Sequence, residues 1–123
     1  MPTIYREQKV PYTAQQMYDL VDNIEQYSSF LPWCVSSRVL HRDANQVSAS
    51  LAFAKGGMQK AFSTQNLLYA PNKIVMSLIE GPFKHLKGVW SFTDMGQQLC
   101  EVALNLEFEF SNRILSMLFG PVF

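Results

Sequence analysis

The chain has 123 residues, a size at which a domain withdraws roughly two-thirds of its unfolded surface from water, so one core spanning 1–123 is expected and a second domain is not. Almost half of the sequence is hydrophobic (48%), with nine Phe, five Tyr and two Trp, a composition that excludes a disordered interaction tail. Ten basic and ten acidic residues cancel, which argues against a general polyanion binder.

The N-terminal stretch MPTIYREQKVPY carries Arg6, Glu7 and Lys9 and has no apolar run of signal-peptide length. No segment approaches the roughly 20 consecutive apolar residues of a membrane helix, and cytoplasm is the expected compartment. Thr3 to Val10 fits a short strand that Pro11 stops. From Thr13 the period changes: Met17, Leu20, Val21, Ile24 and Tyr27 recur at three and four, the spacing of one helical face. Thr13 with Gln16 three residues on is a capping-box start. Asp22 and Asn23 predict a break into two short helices, and Pro32 ends the helical stretch.

From Trp33 to Phe110 the period is two. Val35, Ser37, Val39 and His41 form one parity of a strand, and the Asp and Asn of DANQ favour a tight turn after it. Val47, Ala49, Leu51 and Phe53 make the next, closed by Gly56 and Gly57; Met58 to Tyr69 follows, and then Ile74, Met76 and Leu78. The nine residues EGPFKHLKG, from Glu80 to Gly88, read as a water-exposed hairpin loop with Phe83 and Leu86 set among Lys84, His85 and Lys87. Leu86, Gly88, Trp90 and Phe92 carry the next strand. In the last, Cys100, Val102, Leu104, Leu106, Phe108 and Phe110 alternate with Glu101, Ala103, Asn105, Glu107 and Glu109, giving one apolar and one wet face.

Six strands joined by short turns make an antiparallel meander, because a parallel return needs a crossover of about a dozen residues or more. Such a sheet buries one face, which the N-terminal helices are too small to cover alone. At the other end Ser111 or Asn112 caps RILSMLFGPVF, an apolar helical start in which Gly120 and Pro121 make a poor lid; a natural or engineered truncation at Phe123 is expected. Cys34 and Cys100 are far apart with no CxxC or Cys/His spacing, and are expected to be reduced and partly buried.

Strand, two helices, antiparallel strands and terminal helix together resemble the α+β helix-grip fold of the START superfamily (START/Bet v 1-like), with a sheet of six to seven strands. YDLVDNIEQYSSFLPWC from Tyr18, FSTQN from Phe62, GPFKHLKGVWSF from Gly81 and LEFEFSN followed by FGPVF from Leu106 are similar to the coenzyme-Q-binding START family, which includes the bacterial ribosome-association toxin. That resemblance implies a longer C-terminal helix than this chain carries, so a cavity carried over lacks one wall.

It also implies an apolar cavity between sheet and helices, with its mouth near GPFKHL. Phe30, Leu31 and Trp33 would line one side of the mouth and Pro82, Phe83 and Leu86 the other, while Lys84 and Lys87 meet anionic headgroups if the rim touches a membrane. The alternative has Pro82 and Phe83 fold back to plug the end of the sheet, and Phe30, Leu31 and Trp33 anchor the helices to the sheet edge. Phe53, Phe62, Met76, Leu78, Trp90, Phe92, Leu104, Leu106 and Phe108 face inward by parity, and alternation by itself does not distinguish a filled core from a hollow one.

The function expected is non-catalytic binding of a hydrophobic small molecule, a ubiquinone-like polyprenyl lipid, supporting respiration, with no cofactor required. The alternative is association with the large ribosomal subunit, blocking subunit joining, through the lysine-biased segment Lys55, Lys60, Lys73, Lys84 and Lys87, where Glu80 is the one acid between Ala54 and Thr93. A polyketide cyclase or dehydratase activity is a second alternative. His41 and His85 are isolated and no Ser-His-Asp or metal-ligand grouping appears, so Glu80 is the one acid worth testing. An open groove also predicts homodimerisation, and a peripheral contact with the inner membrane is compatible with the basic rim.

Overall fold

The structure, a computed structural model, describes residues 3–119. Its strands are β1 (Thr3–Val10), β2 (Cys34–Arg42), β3 (Gln46–Lys55), β4 (Met58–Tyr69), β5 (Lys73–Glu80), β6 (Phe83–Asp94) and β7 (Cys100–Phe110). They form one 7-stranded antiparallel sheet in the order β1-β7-β6-β5-β4-β3-β2. β2 to β7 are the expected meander, and β1 adds to its end, with Thr3 opposite Glu107 and Val10 opposite Cys100.

Over the inner face lie α1 (Ala14–Asp22), a 3-10 turn (Ile24–Gln26) and α2 (Tyr27–Phe30). The capping box of α1 is formed in both directions: Gln16 N–H donates to Thr13 Oγ1 at 3.1 Å and Thr13 N–H to Gln16 Oε1 at 2.8 Å. The predicted break falls at Asn23, the C-cap of α1. Two ties then fix the helices to the sheet. Arg42 Nη1 on β2 meets Asp22 Oδ2 at 3.0 Å, while Nη2 donates to the Asp22 carbonyl at the helix end, where exposed carbonyls favour a cation. Further along β2, Ser37 Oγ accepts from Ser28 N–H and donates to the Glu25 carbonyl.

The expected nine-residue loop is not there. Gly81 and Pro82 alone separate β5 from β6, and Phe83 and Leu86 are buried at 6% and 4% exposure. Strict alternation puts residues three apart on opposite faces, but a register shift between Phe83 and His85 turns both apolar side chains inward. Gly81 permits the turn: its φ is +153°, and a Cβ there would stand 2.5 Å from Cβ of Phe62. The lysines around the two apolar residues are simply the solvent face of a strand.

After β7, α3 (Arg113–Phe119) begins with Asn112 as its cap, Oδ1 accepting from Leu115 N–H at 2.9 Å. Leu115 is buried, whereas Ile114 and Met117 are exposed. Gly120 and Pro121, on which the expectation of a poor lid rests, lie outside the described residues.

Among the described residues the interior falls into three buried clusters. Beside the Gly81 turn, Phe53, Phe62, Phe83, Leu86, Leu106, Phe108, Phe110 and Leu115 pack together. At the far end, under α1, Ala14 and Tyr18 meet Ile74, Phe92 and Cys100. A smaller group joins Ile24 to Val47 and Ala49.

Candidate functional site

Between these clusters the inner face is hollow. A cavity of about 540 Å³ lies between the sheet and the α1–α2 segment, within the roughly 300–1,000 Å³ typical of small-molecule sites. Its roof is the helical face seen in the sequence, Met17, Leu20, Val21, Ile24 and Tyr27, continued by Phe30, Leu31 and Trp33. The floor comes from inward positions of the central strands, among them Met76, Trp90 and Leu104.

One row of cross-strand neighbours shows how the floor is kept low. Asn66, Met76, Gly88, Leu106 and Ile4 stand side by side on β4, β5, β6, β7 and β1. Gly88 is the one position in the row without a side chain. A Cβ there would lie 2.6 Å from Met76 Cε and 3.1 Å from Leu106 Cδ1, so the ends of these two side chains already occupy the space above it.

Of the residues predicted to bind ligand, Phe30, Leu31, Trp33, Phe62, Met76, Leu86, Trp90, Leu104 and Leu106 line this cavity. Phe53, Phe83 and Phe108 instead belong to the aromatic cluster, against which Leu78 packs. Phe83 stacks on Phe110 with ring centroids 4.7 Å apart and meets Phe62 edge-on at 5.5 Å, the plug of the alternative reading. Phe92 packs edge-on against Tyr18 at the far end, and Pro82 sits in the turn. Trp33 both lines the cavity and anchors the sheet, its carbonyl accepting from Ala54 N–H at 3.1 Å.

Sequence reasoning missed Thr64 and Asn66, two polar residues buried on the inner face of β4. Their signal was parity: Phe62, Thr64, Asn66 and Leu68 share one face, and the first and last are apolar. Arg6, on the inner parity of β1, was missed for the same reason; it reaches the rim, and its Nη1 donates to the Tyr5 carbonyl.

The five lysines do not form one patch. Lys55 and Lys60 lie at the β3–β4 hairpin and Lys84 near the Gly81 turn, at the same end of the sheet; Lys73 sits at the opposite end, over the ring of Tyr69. Lys84 lies 3.7 Å from Glu109, and Lys87 stands opposite Glu107. The acids of β7 thus offset much of the local positive charge.

The chemistry available inside is sparse. Among the described residues lining the cavity, Arg6 and Tyr27 are the ionisable ones. Burial pushes the Tyr27 hydroxyl far above its usual range, and it donates to the Val21 carbonyl, bracing the roof. Cys34 and Cys100 are free thiols, both raised by burial. Among the described residues no group of three His, Cys, Asp or Glu is placed to hold a metal ion, and no helix is long and apolar enough to cross a membrane.

Comparison with known proteins gives the same architecture a family. Residues 10–123 match the family described as polyketide cyclase / dehydrase and lipid transport. The chain is 44% identical over 123 residues to the persistence and stress-resistance toxin PasT of Escherichia coli O6:H1, covering all of this chain and 78% of that protein. It is 43% identical, with the same coverage, to the ribosome association toxin RatA of Escherichia coli K12. A mitochondrial coenzyme Q-binding protein COQ10 of Dictyostelium discoideum is 31% identical over 88 residues, 68% of this chain and 42% of that one. Among solved structures, a Thermus thermophilus protein superposes with a TM-score of 0.83 at 20% identity over 98% of this chain and 83% of that one. A START superfamily protein of Mycobacterium smegmatis gives 0.73 at 21% identity over 98% and 88%. The seven-stranded sheet and short helices are therefore a START-like helix grip, and the chain belongs to the polyketide cyclase / dehydrase and lipid transport family.

Proposed function

We propose that this protein binds a hydrophobic small molecule of the polyprenyl quinone class in the cavity beneath α1 and α2, without chemical turnover. The observation that carries the reading is the apolar hollow between the packed clusters, floored by Met76, Trp90 and Leu104 and roofed by an amphipathic helix. Moving apolar ligand surface from water into such a space gains about 25 cal/mol per Å². A cavity left empty loses dispersion contacts on its walls, and a guest restores them. Similarity to a protein named for coenzyme Q binding supports the choice of ligand class. Organic extraction of the purified protein followed by mass spectrometry should recover a prenylated quinone, and added quinone should quench Trp33 and Trp90, which both line the cavity. A blank extract together with unquenched fluorescence overturns the proposal.

A second reading concerns the outside of the molecule. The whole chain is similar to proteins named ribosome association toxin, which supports association with the ribosome. The divided and partly paired lysines make a modest polyanion surface, so binding to ribosomal RNA should fall steeply with salt. Co-sedimentation with large subunits at low salt, lost as salt rises, is the expected result; no co-sedimentation at any salt removes this reading. The cyclase alternative has no Asp, Glu, His, Lys or Cys among the described cavity residues, and burial raises the Tyr27 hydroxyl, which is turned to the Val21 carbonyl.

A further inference from the structure

Asn66 is a buried amide with half of its hydrogen-bonding capacity unused. It is 9% exposed and lines the cavity wall on β4. Its Oδ1 accepts from the Thr64 hydroxyl at 3.1 Å. Among the described residues its Nδ2 donates to nothing. The neighbours explain why: across the strands it faces Val47 and Met76, and along its own strand the inward residues are Thr64 and Leu68. Thr64, the one polar member of that set, already gives its proton to the Asn66 carbonyl. Nδ2 opens onto the cavity rather than into packed protein, so an apolar guest that displaces water there leaves it unpaired unless the guest brings an acceptor. Among the described residues no protein group supplies that acceptor.

From this we infer that the cavity selects a ligand bearing a carbonyl or similar hydrogen-bond acceptor, which Asn66 Nδ2 receives. The inference rests on the reading of the cavity as a ligand site and adds the group that orients the guest. Thr64 acts as a positioning residue: by donating to Oδ1 it fixes the amide with its N–H₂ turned away from itself. From Asn66 the row Met76, Gly88, Leu106, Ile4 runs four strand spacings across the sheet, roughly 19 Å at about 4.8 Å each. The side-chain ends of Met76 and Leu106, which meet above Gly88, keep that row low, a shallow apolar trough for the remainder of the ligand. A ring carbonyl at one end and a hydrocarbon tail along the trough match the polarity of the wall from end to end.

The test compares two probes of one shape by calorimetric titration: a benzoquinone bearing a short prenyl tail, and the prenylbenzene of the same tail, which has no carbonyl. The wild-type protein should bind the quinone at least tenfold more tightly. In Asn66→Leu that preference should vanish, through a loss of quinone affinity of about tenfold with prenylbenzene unchanged or tighter. Asn66→Asp, nearly the same size, removes the donors and should lose quinone equally. Thr64→Val frees the amide to rotate and should give a smaller loss, a few-fold. Equal wild-type affinity for the two probes, or an unchanged preference in either Asn66 variant, overturns the inference while leaving the cavity as a ligand site. Failure of wild-type protein to bind either probe removes both. The wild-type comparison of probes is decisive even if a variant fails to fold.

Discussion

At the end of the sheet beside Gly81, the inward positions of β6 and β7 are Phe83, Phe108 and Phe110, packed ring against ring. Further along the same two strands they include Trp90 and Leu104, and the space above them is open. Alternation, strand pairing and hydrophobicity are alike in the two regions. What differs is how the side chains meet: beside Gly81 the rings close on one another, whereas Trp90 and Leu104 face the cavity beneath α1 and α2. A core and a ligand site can thus be one continuous apolar surface, separated by where the rings close on one another and where they do not.

Substitutions can sharpen that contrast. Phe83→Ala removes a buried ring from the packed end and should destabilise the protein by about 3–5 kcal/mol in urea unfolding. Gly81→Ala forces a methyl group against the Phe62 backbone and Cβ, and should cost about 1–3 kcal/mol with no direct effect on the cavity walls. In the hollow region Leu104→Ala should cost clearly less than Phe83→Ala, about 1 kcal/mol, because a side chain facing an opening has fewer contacts to lose. If Leu104→Ala destabilises as much as Phe83→Ala, the two regions are packed alike.

Gly88→Ala reverses the pattern. Its new methyl meets only the flexible ends of Met76 and Leu106, so stability should change by less than about 1 kcal/mol while those ends swing into the cavity. Quinone quenching of the tryptophans should weaken severalfold; unchanged quenching would show that the ligand does not lie over Gly88. Arg42→Ala, which releases the end of α1 from β2, should be smaller still in stability, about 0.2–1 kcal/mol for a partly exposed pair. Its clearer sign should be faster ligand release, read by stopped-flow quenching.

Much of the frame was legible in the sequence because the sheet is covered on one face only. In β7 each even residue from Cys100 to Phe110 faces in, and β4 runs from Met58 to Tyr69 as its pattern predicts. The Thr13–Gln16 cap and the break at Asn23 were readable because they depend on local bonds. The Glu80–Gly88 segment reads as a loop in the sequence because a bulge brings Phe83 and Leu86 to one face, and a bulge leaves no mark on composition. Trp90 and Leu104 on one side and Phe83 on the other could not be sorted into cavity and plug, because parity reports direction and not the volume left over. Asn66 and Thr64 were overlooked for a related reason: a polar residue on an apolar parity looks like noise until the space in front of it is known.

A crystal structure of the protein under xenon pressure tests the central claim most directly, since an apolar cavity of this size takes up the gas without demanding hydrogen bonds. Xenon, or a ligand retained from the cell, is expected between Met76, Trp90 and Leu104 beneath Val21 and Ile24. Trp90 and Leu104 interlocked with the helix side chains, with neither gas nor ligand between them, would contradict it.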